Sequence, residues 1–289
     1  MPPKSFYGMD RLGLSFELFP PKTPEGERSL FRTVGQLMEL RPSFLTCTYG
    51  AGGTTRGKTL EVVDRVRQKH HVPVASHLTC VGSTVDQLRR YLEEARLRGI
   101  DYIVALRGDP PQGSEEFQTA DGGLSHAKDL VELIQREFPS FGIAVAGYPE
   151  KHREAPSLEE DLRHLKQKIQ AGADVVLTQL FYNNEDFFRF RDRCFEMGIR
   201  VPIVPGLLPV TNLAQIRRIT SLCGARLPQS FLDELGRRDD ESWQFQVGVE
   251  FAIRQVRELL AAGVPGLHFY VLNKSQATKA VFEAIAGGI

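Results

Sequence analysis

Short apolar runs alternate with segments of helical period from one end of the chain to the other. Eight runs, rich in β-branched or large apolar residues, read as strands: 13–19, 43–49, 73–79, 101–107, 142–148, 174–180, 201–207 and 266–272. The segments between them open on capping residues. Thr23 and Pro24 read as N-cap and first helical residue before Leu30, Val34 and Leu37. Ser83 with Asp86 reads as a capping-box start for the stripe Val85, Leu88, Leu92 and Ala95, which Gly99 ends. Ser157 with Glu160 repeats the device before Leu158, Leu162, Leu165 and Ile169, with Gly172 as the stop.

Eight strand and helix units predict an α/β fold, a (β/α)8 TIM barrel, rather than an open doubly wound sheet, because the count closes. The interval from Thr211 to Val264 is long enough for extra helices before the last strand, one of them around Ser242 to Ala262. No linker, repeat or change of composition divides the chain, so one barrel domain over residues 1–289 is expected.

A barrel carries its site at the C-terminal ends of its strands, and polar residues gather there in the sequence. Glu17 ends the first strand, Thr46 and Thr48 the second, His77 and Thr79 the third, and Arg107-Gly108-Asp109 the fourth. Tyr148-Pro149-Glu150, Thr178-Gln179, and Tyr270 with Asn273-Lys274 follow at later ends. Strand parity sends Leu14, Phe16 and Leu18 to the helices, and Ser15 and Glu17 to the lumen. Pro20 and Pro21 then stop ladder pairing, since neither has an N–H.

Two readings of Glu17 stand side by side: a rim carboxylate paired to a base, or a carboxyl kept protonated for general-acid work. Arg107-Gly108-Asp109 is either an ion-pairing turn or a hydrogen-bonding edge for a heterocycle, and the amide of Gln179 suits a pterin-like or nucleobase edge. His77 reads equally as a satisfied core histidine.

Bulk composition narrows the partners. With 36 basic against 36 acidic residues, 42% hydrophobic and 25% charged residues, the chain has no charge excess to favour nucleic acid or an anionic membrane. The first residues contain no apolar signal core and no window reaches about 18 uninterrupted apolar residues, so a cytoplasmic protein is expected. Cys47, Cys80, Cys194 and Cys223 form no C-x-x-C pair, and no histidine pattern suits a metal, so reduced thiols and no metal site are expected. One motif points elsewhere: Gly52-Gly53-Thr54-Thr55-Arg56-Gly57-Lys58-Thr59 fits the phosphate loop of a P-loop NTPase after a strand and before a helix. Its weakness is the lack of a Walker-B-like strand. A third reading is a non-catalytic ligand-binding barrel.

Taken together, the strand-end motifs resemble one family, the short bacterial type of methylenetetrahydrofolate reductase. They are Ser15-Phe16-Glu17-Leu18-Phe19-Pro20-Pro21, Thr48-Tyr49-Gly50-Ala51, His77-Leu78-Thr79-Cys80, Ala105-Leu106-Arg107-Gly108-Asp109, Tyr148-Pro149-Glu150 with His152, Thr178-Gln179, Pro205-Gly206-Leu207-Leu208-Pro209-Val210, and His268-Phe269-Tyr270 with Leu272-Asn273. The resemblance runs through nearly the whole chain in the same order. It implies a flavoprotein barrel that binds FAD, takes electrons from NADH or NADPH, and reduces 5,10-methylenetetrahydrofolate to 5-methyltetrahydrofolate in ping-pong turnover.

By that resemblance Glu17 is the general acid that protonates folate N10 as the five-membered ring opens, and Asp109 lies by flavin and pterin. Thr48, His77, Leu106, Arg107, Gly108 and Asp109 would line the flavin. His126, Ala127, Tyr148, His152, Ala155, Asp161, His164 and Lys168 would surround its remaining parts. Gln179, Gln215 and Lys274 would join Glu17 and Asp109 around the folate. Three positions depart from the family pattern: His126 where tyrosine is frequent, Ile219 where an aromatic commonly stacks, and Lys274 where arginine is frequent, which removes a bidentate fork for a carboxylate. A homo-oligomer is expected, and, with 289 residues leaving no space for the regulatory domain of longer relatives, no inhibition by adenosylmethionine. The Gly-Lys-Thr of the phosphate-loop pattern becomes a coincidence within the loop after the second strand.

Overall fold

The computed structural model describes residues 7, 12–49, 56–109 and 119–286. Parallel strands form a ring whose apolar outer face meets helices. In chain order the strands are β1 (Gly13–Leu18), β2 (Phe44–Cys47), β3 (Val74–Thr79), β4 (Tyr102–Leu106), β5 (Gly142–Gly147), β6 (Val175–Thr178), β7 (Ile203–Val204), β8 (Gly206–Leu207) and β9 (Gly266–Tyr270). They pair in the order β7-β6-β5-β4-β3-β2-β1-β9-β8, all parallel.

The predicted run 201–207 is therefore two strands, not one. Pro205 stands between them and has no N–H to donate, so the ladder breaks there. Its carbonyl still accepts from His268 N–H at 3.0 Å. Since β7 pairs with β6 and β8 with β9, these two pieces together close the eight-unit ring expected of a TIM barrel.

Around the ring run α1 (Pro24–Met38), α2 (Arg56–His70), α3 (Val85–Leu97), α4 (Ala127–Glu137), α5 (Leu158–Gln170), α6 (Asn184–Glu196), α7 (Leu213–Cys223), α8 (Gln229–Leu235), α9 (Glu241–Ala261) and α10 (Gln276–Ala286). The expected extra helices before the last strand are α7, α8 and α9. Thr23 caps α1 through Gly26 N–H, and Ser157 caps α5 through Glu160 N–H. For α3 the cap is Thr84, one residue after the predicted Ser83: its hydroxyl accepts from Gln87 N–H while the Gln87 side chain accepts from Thr84 N–H.

Parity on β1 is as expected. Phe16 and Leu18 are fully buried in the strand–helix layer with Leu30, Val34 and Leu37 of α1. The lumen is filled at its base by a second apolar layer, where the Tyr7 ring meets Phe44 edge to face and Phe44 meets Tyr102 at a tilt. Above that plug the lumen turns polar, and this places the site. No helix among the described residues is long and apolar enough to cross a membrane.

Candidate active site

Glu17 lies one layer above the aromatic plug, near the end of β1, in register with Thr46 of β2 and Tyr270 of β9. It is only 6% exposed. Its Oε2 lies 3.4 Å from His77 Nε2 and 3.7 Å from His268 Nε2, within ion-pair reach but without an aligned hydrogen bond. Burial holds the His77 ring below the ordinary histidine value, and Glu17 opposes that shift. Neither lysine nor arginine is paired with Glu17 among the described residues, so the ion-pair reading takes a particular form: the only neighbours of opposite potential charge are imidazoles.

Behind Glu17 runs a buried chain of polar groups. Tyr7 Oη lies 2.8 Å from Ser15 Oγ, which lies 2.8 Å from His268 Nδ1. Burial raises the Tyr7 phenol far above its usual value, so it stays protonated. When Tyr7 donates to Ser15 and Ser15 to Nδ1, the imidazole proton sits on Nε2, facing a Glu17 carboxylate. Run in reverse, Nδ1–H donates to Ser15, and Nε2 becomes an acceptor for a proton on Glu17. The same atoms thus serve both states of the acid.

Four of the buried polar atoms without a partner belong to this layer: Thr46 Oγ1, His77 Nε2, Thr79 Oγ1 and His268 Nε2. Tyr270 joins it from β9, its hydroxyl donating to Thr178 O at 2.8 Å. Its phenol is raised by burial first, then by Glu17 and Tyr148, which puts it between the acid and the next group of residues.

That group forms where β4 and β5 end. Leu106 closes β4, and Gly108 follows with φ +89, a left-handed turn whose added Cβ would meet Val81 Cγ1 at 2.6 Å, so glycine is demanded twice over. Arg107 forks onto Glu154 at 2.6 and 2.7 Å. Glu154 N–H also donates to His152 Nδ1 at 3.2 Å, and the His152 ring meets Tyr148 edge to face at 4.7 Å. His152 N–H in turn donates to the buried Asp161 carboxylate at 2.9 Å. Near that carboxylate, Lys168 Nζ donates to Ala146 O at 2.7 Å, and burial pushes its ammonium down to about 8 against the pull of Asp161.

A methylenetetrahydrofolate reductase family model matches residues 7–286. The chain belongs to that family. The 5,10-methylenetetrahydrofolate reductase of Escherichia coli is 39% identical over 276 residues, covering 95% of this chain and 91% of its own. The maize methylenetetrahydrofolate reductase (NADH) 1 is 38% identical over 281 residues, 93% of this chain but 47% of its own. The chain thus spans about half the length of the plant relatives it matches. Among solved structures, a Clostridium thermocellum protein that binds two copies of 5-methyl-5,6,7,8-tetrahydrofolic acid superposes with TM-score 0.65 at 15% identity, covering 96% of each chain. Dihydropteroate synthase from Xanthomonas albilineans gives 0.51 at 16%, covering 98% of this chain and 95% of its own. Both share the barrel fold.

Not all positions that the resemblance assigns to the family's site touch one another. Glu17 meets His77, and Tyr148, His152, Asp161 and Lys168 make a second connected set. Thr48 stands at the end of β2, donating its N–H to Leu18 O and accepting from Thr59 Oγ1. Ala155 is buried in the loop before α5. Asp109 is exposed after β4; His126, exposed, and Ala127 open α4. His164 is exposed and lies 3.4 Å from Glu160, away from the lumen set. Gln179 Oε1 folds back to its neighbour's Leu180 N–H at 2.8 Å, leaving its NH2 as the available donor. Gln215, on the first turn of α7, and Lys274, after β9, are both exposed.

Of the phosphate-loop pattern, Gly52–Thr55 lie outside the described residues. Lys58 is committed elsewhere: its Nζ lies 2.6 Å from Glu27 and 3.3 Å from Glu61. Sequence reasoning missed Glu154 as the partner of Arg107, and His268 as a neighbour of Glu17. The signal for His268 was its parity with Tyr270 at the end of the last strand.

Proposed function

We propose that this chain reduces 5,10-methylenetetrahydrofolate to 5-methyltetrahydrofolate, with FAD as resident cofactor, NADH or NADPH as electron donor, and Glu17 as general acid. The observation that carries the reading is the buried Glu17 carboxyl facing two imidazole Nε2 atoms at the polar end of the lumen, in a chain of this family.

The residues suit FAD. A dinucleotide's pyrophosphate needs a buried or half-buried cation, and Lys168 offers one, while Arg107 is held by Glu154. A flavin's polar ring edge needs donors and acceptors that the protein has not already satisfied, and His77 Nε2 and Thr79 Oγ1 are such atoms. Thr48, Leu106, Gly108, Asp109, His126, Ala127, Tyr148, His152, Ala155, Asp161 and His164 complete the proposed surround, with Gln179, Gln215 and Lys274 toward the folate. FAD supplies hydride transfer between nicotinamide and the folate's one-carbon unit when bound.

The chain's own task is the proton. Opening the five-membered ring breaks the bond from N10 to the methylene carbon, and N10 must gain a proton as it leaves; Glu17 delivers it. The carboxylate so formed faces His77 and His268 in a site shielded from water, and the Ser15 and Tyr7 hydroxyls allow the imidazole proton to change sides. Electron donor and folate use the flavin in turn, giving ping-pong kinetics. One catalytic barrel, cytoplasmic location and a homo-oligomer are part of the same reading, whereas the engagement of Lys58 by two carboxylates counts against NTP binding.

The visible spectrum of the purified protein tests the cofactor: flavin bands bleached by NADH or NADPH and restored by methylenetetrahydrofolate are expected, and a colourless protein that takes up no FAD sinks the proposal. For the acid, Glu17→Gln keeps nicotinamide bleaching but loses folate reduction by about 10²-fold or more. A variant reducing folate at the parental rate would remove Glu17 from the mechanism.

A further inference from the structure

The last ladder pair between β1 and β9 joins Glu17 to Tyr270. Beyond it the chain runs Leu18-Phe19-Pro20-Pro21, and the prolines have no N–H with which to hold the segment. Leu18 O is secured from β2 by Thr48 N–H at 2.8 Å. On the β9 side both backbone groups of Phe19 are bound by a single side chain: Phe19 N–H donates to Asn273 Oδ1 at 2.9 Å, and Asn273 Nδ2–H donates to Phe19 O at 2.9 Å. A primary amide has one acceptor and one donor edge, the same complement that a neighbouring strand would offer.

The loop carrying Asn273 is built to present it. Leu272 and Asn273 both have left-handed backbones, φ 46 and φ 56. Asparagine tolerates that region, but leucine there is strained. The Asn273 carbonyl accepts from Thr33 Oγ1 of α1 at 3.1 Å, and Ser275 Oγ donates to Gln36 Oε1 of the same helix at 2.5 Å. A strained turn tied to α1 at two points thus ends in an amide clamped on the residue two places after Glu17.

We propose that Asn273 is a positioning residue for proton delivery: its amide extends the β1–β9 ladder from Glu17 to Phe19, as far as the prolines, and fixes Glu17 against the substrate. This rests on the reading of Glu17 as general acid. A mere loop brace would alter stability alone, or both half-reactions alike; a positioning role alters only the step that needs the Glu17 proton.

The test uses the flavin-bound full chain. Asn273→Gly keeps the left-handed backbone without strain and removes the amide; Asn273→Asp keeps an acceptor for Phe19 N–H but sets a carboxylate oxygen against Phe19 O. Stopped-flow bleaching by the nicotinamide donor and reoxidation by methylenetetrahydrofolate are measured separately across pH, with hydrogen exchange at the Phe19 amide. Expected in Asn273→Gly are flavin content and bleaching within about twofold of the parent. Folate-dependent reoxidation at saturating folate falls about tenfold or more, since a well-placed general acid is worth about 10²–10⁴-fold. Phe19 protection is lost, and Asp lies between. Parental reoxidation in Asn273→Gly, or an equal fall in both half-reactions, overturns the proposal. Should Asn273→Gly not fold, Thr33→Val, which only releases the Asn273 carbonyl, decides: a selective fall in reoxidation supports positioning, and a parental rate overturns it. A parent that carries flavin but never reduces folate overturns the functional reading itself, before any variant is made.

Discussion

Replacing Lys168 by methionine separates what the buried ammonium costs the fold from what it gives the site. Its Nζ donates to Ala146 O, and burial lowers its pKa from 10.5 to about 8. At about 1.4 kcal/mol per pH unit, that difference corresponds to about 3 kcal/mol of stability forgone at pH 7. The folded chain releases the proton near pH 8 and the unfolded chain near 10.5, so between these values the unfolded state holds more protons and the parent's stability rises with pH. Below pH 8 the penalty is present in full.

Lys168→Met removes it but leaves Ala146 O without its donor, a loss of about 1–1.5 kcal/mol. The net expectation for the flavin-free protein is a gain of about 1–2 kcal/mol at pH 7, or about 2–6 °C in Tm, shrinking steadily as pH rises from 8 and gone by about 10. Differential scanning calorimetry of parent and variant from pH 6.5 to 10 reads it out. Flavin retention should move the other way, since an apolar side chain offers a pyrophosphate nothing. A variant less stable than the parent at pH 7, or a Tm difference that does not change with pH, would refute the claim that the fold tolerates a desolvated ammonium at this position.

Two further expectations follow from the same geometry. Gly206→Ala would set a Cβ 2.1 Å from Thr178 O and 2.8 Å from the Tyr270 ring; backbone and ring cannot both yield, and urea unfolding should show a loss of about 3 kcal/mol or more, an unchanged midpoint contradicting the packing. Ser15→Ala strands His268 Nδ1 in the interior and takes from Tyr7 Oη its Ser15 partner; beyond a loss of about 1–3 kcal/mol, the pH profile of folate reduction should shift while nicotinamide-driven bleaching stays parental, and coincident profiles would show that the buried chain does not serve Glu17.

The barrel was legible because its strands are buried runs separated by helical period, and because Ser15 and Glu17 alternate with Phe16 and Leu18 on one short strand. What misled was local degeneracy. Ser83-x-x-Asp86 and Thr84-x-x-Gln87 both satisfy a capping pattern, and only the chain's path selects the second. In 201–207 an apolar run concealed that Pro205 lacks the group a ladder needs. Contacts between distant positions could not be read as pairs: Ser15 and His268 are 253 residues apart, and Arg107 and Glu154 are 47 apart. The sequence placed polar residues at the same end of the barrel, but not which of them meet.

The interruption at Pro205 makes the ring uneven. Its two neighbouring pairings, β6 with β7 and β8 with β9, register over two residues each, against five for β1 with β9. Side chains complete the joint, with Thr178 Oγ1 taking Gly206 N–H and Tyr270 reaching Thr178 O. The circle therefore has a seam, and β9 alone separates it from the strand that bears the acid. A breathing motion, an insertion or a widened mouth meets least backbone resistance there, and the sheet from β9 through β1 to β6 can keep its register while the seam gives. Accommodation of a bulky ligand and fixed placement of Glu17 are thereby assigned to different arcs of one ring.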